Sequence, residues 1–154
     1  MPRASSVPRY LGHAFRADEW AHLTSLPAAI MIAATEAKNG SPQHTVAAGL
    51  AGLDAIAAGR AFDSDLVRAV AAAIFAERAT DHSTAPVRGW PQVLTDSRRV
   101  AEILRARADL ADANAYRHWV QQIALRVLAA GAGPSPRQRR GQHIDLEDLA
   151  AALA

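Results

Sequence analysis

The run from Leu26 to Gly40, LPAAIMIAATEAKNG, is the most continuously apolar stretch of the sequence. It constrains the fold most, because a helix without a polar face has to lie among other elements rather than on the outside. Ser25 is placed to cap it, Pro27 falls in a first turn where the missing N–H costs little, and Asn39-Gly40 supplies a left-handed stop. Leu26, Ile30, Ala34 and Ala37 share one face of the predicted helix, and Met31 and Ile32 make the neighbouring faces apolar. A bilayer span needs about 20 apolar residues, whereas Glu36 and Lys38 interrupt this run, so it reads as the centre of a domain and not as a membrane segment.

Around that centre the periodicity predicts a compact all-α bundle of five to six helices. Residues 1–17 read as an extended N-terminal arm, 18–130 as the bundle, 131–143 as a mobile linker and 144–154 as a C-terminal docking helix. A short helix is expected from Asp18, with a break at Thr24 to Pro27 before the central helix. Ser41-Pro42 starts the next helix, which runs to about Gly59. Its apolar side carries Val46, Leu50, Leu53 and Ala57, and Gly49 and Gly52 are expected to permit a close crossing with the central helix. Asp63 or Ser64 caps a helix to about Ala79 with Leu66, Val70, Ala73 and Ile74 inward. The irregular stretch Thr80 to Gln92 follows, then a helix capped by Thr95 or Asp96 and ending near Leu110. Asp112 or Asn114 caps another from Ala115 to Ala130, inward through Tyr116, Val120, Ile123 and Val127. The last helix packs through Ile144, Leu146, Leu149 and Leu153. No segment alternates with the period of a strand.

The residue inventory removes several chemistries. With no cysteine, disulfide scaffolds, thiolate catalysis and cysteine-ligated metals are excluded. No basic-then-apolar leader is apparent, which leaves the cytoplasm as the default location. The sequence has 37 alanines and sixteen arginines against one lysine. The net charge is only +2, so the high pI reflects arginine usage more than a nucleic-acid footprint. Glu102, Asp109 and Asp112 also interleave with the arginines of the C-terminal half, which disfavours a continuous positive stripe.

Candidate site residues come from placing side chains at about 100° per residue around each helix. Glu77 falls on the stripe of Leu66, Val70, Ala73 and Ile74, and Arg107 falls with Ile103, Leu104 and Ala111. Two opposite charges directed inward predict an ion pair, since an unpaired buried charge is very costly. Both residues also lie near helix ends, where long side chains can snorkel to water instead. With His82 and Trp90 of the irregular stretch they form the candidate ligand-binding set: Glu77, Arg107, Trp90 and His82. The six histidines never fall three or four residues apart, and no HExxH occurs. Glu19 with His22 reads as a surface pair rather than a pair of ligands, and His118 as solvent-facing. No metal site and no cofactor is expected, and serine-nucleophile and Gly-rich phosphate motifs are missing.

The segment AIMIAATEAKNGSPQ, residues 29–43, resembles the helix-then-loop signature of the tellurite-resistance B family of small all-helical bacterial proteins. IALRVLAAGAG, residues 123–133, followed by IDLEDLAAALA, is similar in outline to that family's second half. The resemblance implies an internal pseudo-repeat. It does not imply metal binding, because Thr35-Glu36 and Lys38-Asn39 stand where the family's loop aspartates are expected, and the second loop carries none. The sequence therefore leans away from catalysis. It points to a module binding a protein partner or small polar molecule, with homodimerisation through an alanine-rich face as one form of that interaction. A small-bundle enzyme with an inter-helix pocket at Glu77 and Arg107 is the alternative, and nucleic-acid binding is a more distant one.

Overall fold

In the computed structural model, residues 15–36, 42–80, 89–130 and 146–154 are described. They form six α-helices: α1 (Ala17–Glu36), α2 (Pro42–Ala58), α3 (Asp65–Thr80), α4 (Trp90–Arg107), α5 (Leu110–Ala130) and α6 (Leu146–Leu153). A 3-10 turn, Gly59–Ala61, extends α2. No strand occurs among the described residues. The arm up to residue 14, the Asn39-Gly40 stop, His82, the linker and Ile144 lie outside the described residues.

The apolar run does lie at the centre: Leu26, Ile30, Met31, Ala33 and Ala34 are buried, and α1 packs against α2, α3, α4 and α5. The expected break before it is absent. Residues Ala17–Glu36 form one helix with Pro27 inside it. Proline offers no N–H to the carbonyl four residues back, that of Leu23, and a buried carbonyl without a partner is costly. The hydroxyl of Tyr116, from the middle of α5, donates to the Leu23 oxygen at 2.8 Å. The tertiary structure thus supplies the donor that the proline removes, and the helix continues. Thr24 and Ser25 hydroxyls donate to the nearby carbonyls of Ala21 and His22.

The α2 helix turns the other way from the expected one. Its buried face is Ala48, Gly52, Ala55, Ile56 and Gly59, whereas Val46 and Leu50 are exposed and Leu53 and Ala57 only half-buried. The reason is distance of approach. A Cβ at Gly52 would stand 2.4 Å from Met31 Cγ and 3.0 Å from Val127 Cγ2, and one at Gly59 2.7 Å from the Trp119 ring. The small-residue face lets α2 close on α1 and α5, and the leucine face does not. Gly52 makes the predicted close crossing; Gly49 faces open space. Trp119 also donates its indole N–H to the carbonyl of Ala55 at 3.0 Å, at the point where α2 tightens into the 3-10 turn.

The helix starts follow capping chemistry. Ser64 caps α3, its Oγ accepting the Val67 N–H, and donates to Asp112 Oδ1 at 2.7 Å, tying α3 to α5. Asp109 caps α5, Oδ1 accepting the Asp112 N–H at 2.8 Å, so that helix begins earlier than Ala115. Likewise α4 begins at Trp90 rather than near Thr95, because Gly89 is extended and Pro91 stands in the first turn where proline is tolerated. The inward residues of α5 are as expected, with Tyr116, Val120, Ile123 and Val127 all buried. Leu66, Val70 and Ile74 of α3 and Leu149 and Leu153 of α6 are buried too, while Ala73 is half-buried.

Candidate functional site

Of the four expected site residues His82 lies outside the described residues, and Glu77 and Arg107 do not pair. Glu77 is exposed on α3, while Arg107 ends α4 and directs its Nε to Glu19 Oε1 at 3.5 Å. The reason is topological: α3 packs on the 3-10 turn, α5 and α1, while α4 packs on α1 and α6, so the two stripes do not meet. Trp90 is half-buried against the core at the start of α4, with its indole Nε1 out of solvent and without a hydrogen-bond partner among the described residues. His118 is exposed, its ring 6.3 Å from that of Phe62.

Glu19 is the buried acid that sequence reasoning missed. Its side chain is 10% exposed against 42% for Arg107, and the same Oε1 accepts the Arg16 backbone N–H at 2.9 Å. It is the third residue of α1, so this bond is half of a capping box at the helix N-terminus. The signal for it existed. Glu19, Leu23, Leu26 and Ile30 recur at helical spacing on one continuous stripe, which becomes visible once α1 is not broken at Pro27. Either side of Glu19 in the chain, Phe15 and Trp20 pack with their rings tilted by 42° and centroids 6.1 Å apart. The arrangement clamps the start of α1 to the end of α4. One oxygen serves both donors, which is the chemistry of a structural tie. Among the described residues no group of three histidine, aspartate or glutamate side chains could hold a metal ion.

The feature with capacity for binding lies on the outer face of α2. Val46, Leu50, Leu53 and Ala57 follow one another at i, i+4, i+7 and i+11, the spacing of a helix-pairing seam, and Val46 and Leu50 are 62% and 59% exposed. Ala47, Gly49 and Asp54 flank Leu50 and are too short to fold over it as lysine or arginine stems do, while the exposed Gln43 stands one turn before Val46. Asp54 is the one Asp, Glu, Lys or Arg in the seventeen residues of α2. Elsewhere among the described residues the exposed large apolar side chains are Leu110 at the start of α5 and Leu125 farther along it. No family model, curated protein or solved structure matches this chain. The reading of its function rests on its own residues.

Proposed function

We propose that this protein is a non-catalytic helical interaction module that docks a partner helix on the outer face of α2. The observation that carries the reading is the exposure of Val46 and Leu50 at successive turns of one row, which continues into half-buried Leu53 and Ala57, while Ala48, Gly52, Ala55 and Ile56 are buried opposite. Helix-in-groove and helix-on-helix recognition use anchors at this spacing. Singly exposed apolar residues are ordinary, but two large ones at successive turns of one helix face, with no lysine or arginine on that helix, are what an interface presents. The resemblance of residues 29–43 to the tellurite-resistance B family fits a small bacterial helical module working in the cytoplasm. Among the described residues no helix is long and apolar enough to cross a membrane.

The test is a photo-crosslinking amino acid at position 50, compared with the same probe at Arg98, an exposed site on α4. Discrete adducts at position 50 that vanish when Val46→Glu is added, with none at position 98, support docking on α2. Equal labelling at both positions, or adducts indifferent to Val46→Glu, overturns it.

A further inference from the structure

We infer that the helix docked on α2 is the α2 of a second copy, in an antiparallel pair about a two-fold axis at Leu50. The inference rests on the docking reading above and specifies its partner. A two-fold interface requires a surface complementary to itself. The exposed part of the α2 seam is uncharged and centres on Leu50, with exposed Val46 one turn before it and half-buried Leu53 one turn after. A partner selected by charge has almost nothing to recognise, since Asp54 is the one carboxylate and no lysine or arginine lies on the helix.

That single charge also sets the direction. In an antiparallel pair centred on Leu50 the two Asp54 residues are separated along the axis by about 12 Å, from the helical rise of about 1.5 Å per residue, beyond a physiological screening length of about 8 Å. Each lies beside Ala47 of the other copy. An in-register parallel pair brings both carboxylates to one level, and it also aligns the helix dipoles unfavourably. Gly49 completes the argument. Glycine within a helix costs about 1 kcal/mol relative to alanine. Gly52 and Gly59 have intramolecular reasons, in Met31 and Trp119, but a Cβ at Gly49 would meet nothing within 4 Å. Next to Leu50 on the flank of the seam, its hydrogen side chain allows a facing helix to approach closely.

The chain has no cysteine, so engineered thiols report on register alone. Sedimentation equilibrium of the native chain up to about 500 µM, the range of small and weak interfaces, is expected to show reversible dimerisation. Leu50→Glu weakens it at least tenfold while leaving the circular dichroism spectrum unchanged, as befits an exposed position. Under mild oxidation Leu50→Cys forms a covalent dimer several-fold faster than Val46→Cys, because only position 50 meets itself. A native chain that stays monomeric throughout, or Leu50→Glu dimerising like the native chain, overturns the self-pairing. Crosslinks at Val46→Cys as fast as at Leu50→Cys overturn the antiparallel register. A monomeric chain that still gives Val46-dependent adducts at position 50 separates the two proposals: docking stands, and the occupant is a foreign helix.

Discussion

Removing the Tyr116 hydroxyl tests how this fold tolerates a proline inside its central helix. Tyr116→Phe keeps the ring in a fully buried position, with its edge-on contact to Trp119 at 5.9 Å, and deletes only the donor to the Leu23 carbonyl. Pro27 cannot replace that donor, so a buried acceptor is left bare at an expected cost of about 1–3 kcal/mol. Pro27→Ala restores the N–H that α-helical geometry directs at Leu23, and a carbonyl has two lone pairs to accept with. In the Pro27→Ala background the carbonyl is therefore already bonded, and Tyr116→Phe should cost about 0.5–1 kcal/mol, the net worth of an ordinary hydrogen bond. The expected coupling energy is about 1–2 kcal/mol, and it does not depend on whether Pro27→Ala alone stabilises or destabilises. Urea unfolding of the four proteins, followed by circular dichroism at a common slope, measures it. Additivity within about 0.5 kcal/mol would refute the claim that the hydroxyl and the missing N–H address the same oxygen.

Burial also holds the Tyr116 phenol protonated well above its ordinary value. The unfolded chain then loses its proton first as pH rises through about 10, so stability falls above that pH by up to about 1.4 kcal/mol per unit, and Tyr116→Phe should remove that part of the alkaline loss in urea titrations at stepped pH. Gly49→Ala should raise stability by up to about 1 kcal/mol, because its Cβ meets open space and alanine is the better helix former. Gly52→Ala and Gly59→Ala should each lower it by about 1–3 kcal/mol through overpacking against Met31 and Trp119, and thermal unfolding distinguishes the two signs. Glu19→Ala should cost about 1–2 kcal/mol, as a cap and a charged acceptor are lost together, while Arg107→Ala costs less than about 1 kcal/mol because that guanidinium is 42% exposed. Equal effects would show that the ion pair, not the cap, gives Glu19 its place.

What was legible in the sequence is the set of segments that bury one strong stripe. In α5, Tyr116 to Val127 reads correctly because Tyr116, Val120, Ile123 and Val127 concentrate on one face, with Leu125 the one large apolar residue of that stretch left exposed. The central helix reads correctly as central for the opposite reason, that apolar residues occupy nearly all of its faces. Two other features resist reading because they depend on partners distant in sequence. Local rules make Pro27 a helix start, and only the Tyr116 hydroxyl, which no local rule can bring in, makes it an interior residue. That one boundary carried the site with it. Breaking α1 detached Glu19 from the stripe of Leu23, Leu26 and Ile30, and left Arg107 to be matched with the nearest inward acid in chain order, Glu77. Arg107 is 42% exposed and so is not forced to pair; the carboxylate beside it is that of Glu19 because α4 packs on α1.

The α2 helix presents a different difficulty, and a more informative one. It has two apolar faces, one of leucine and valine and one of alanine and glycine with Ile56, and the rule that the face with more large apolar residues goes inside selects the wrong one. Closeness reverses the preference. With Met31, Val127 and Trp119 already projecting from α1 and α5, the space left for α2 admits Gly52 and Gly59 and would reject a leucine row, so the core is completed by the larger side chains of its neighbours. Val46 and Leu50 are then left at the surface, where they add little to monomer stability. A surface position not held by the core can drift to lysine or glutamate without loss of folding, so Val46 and Leu50 make physical sense as residues that face another helix.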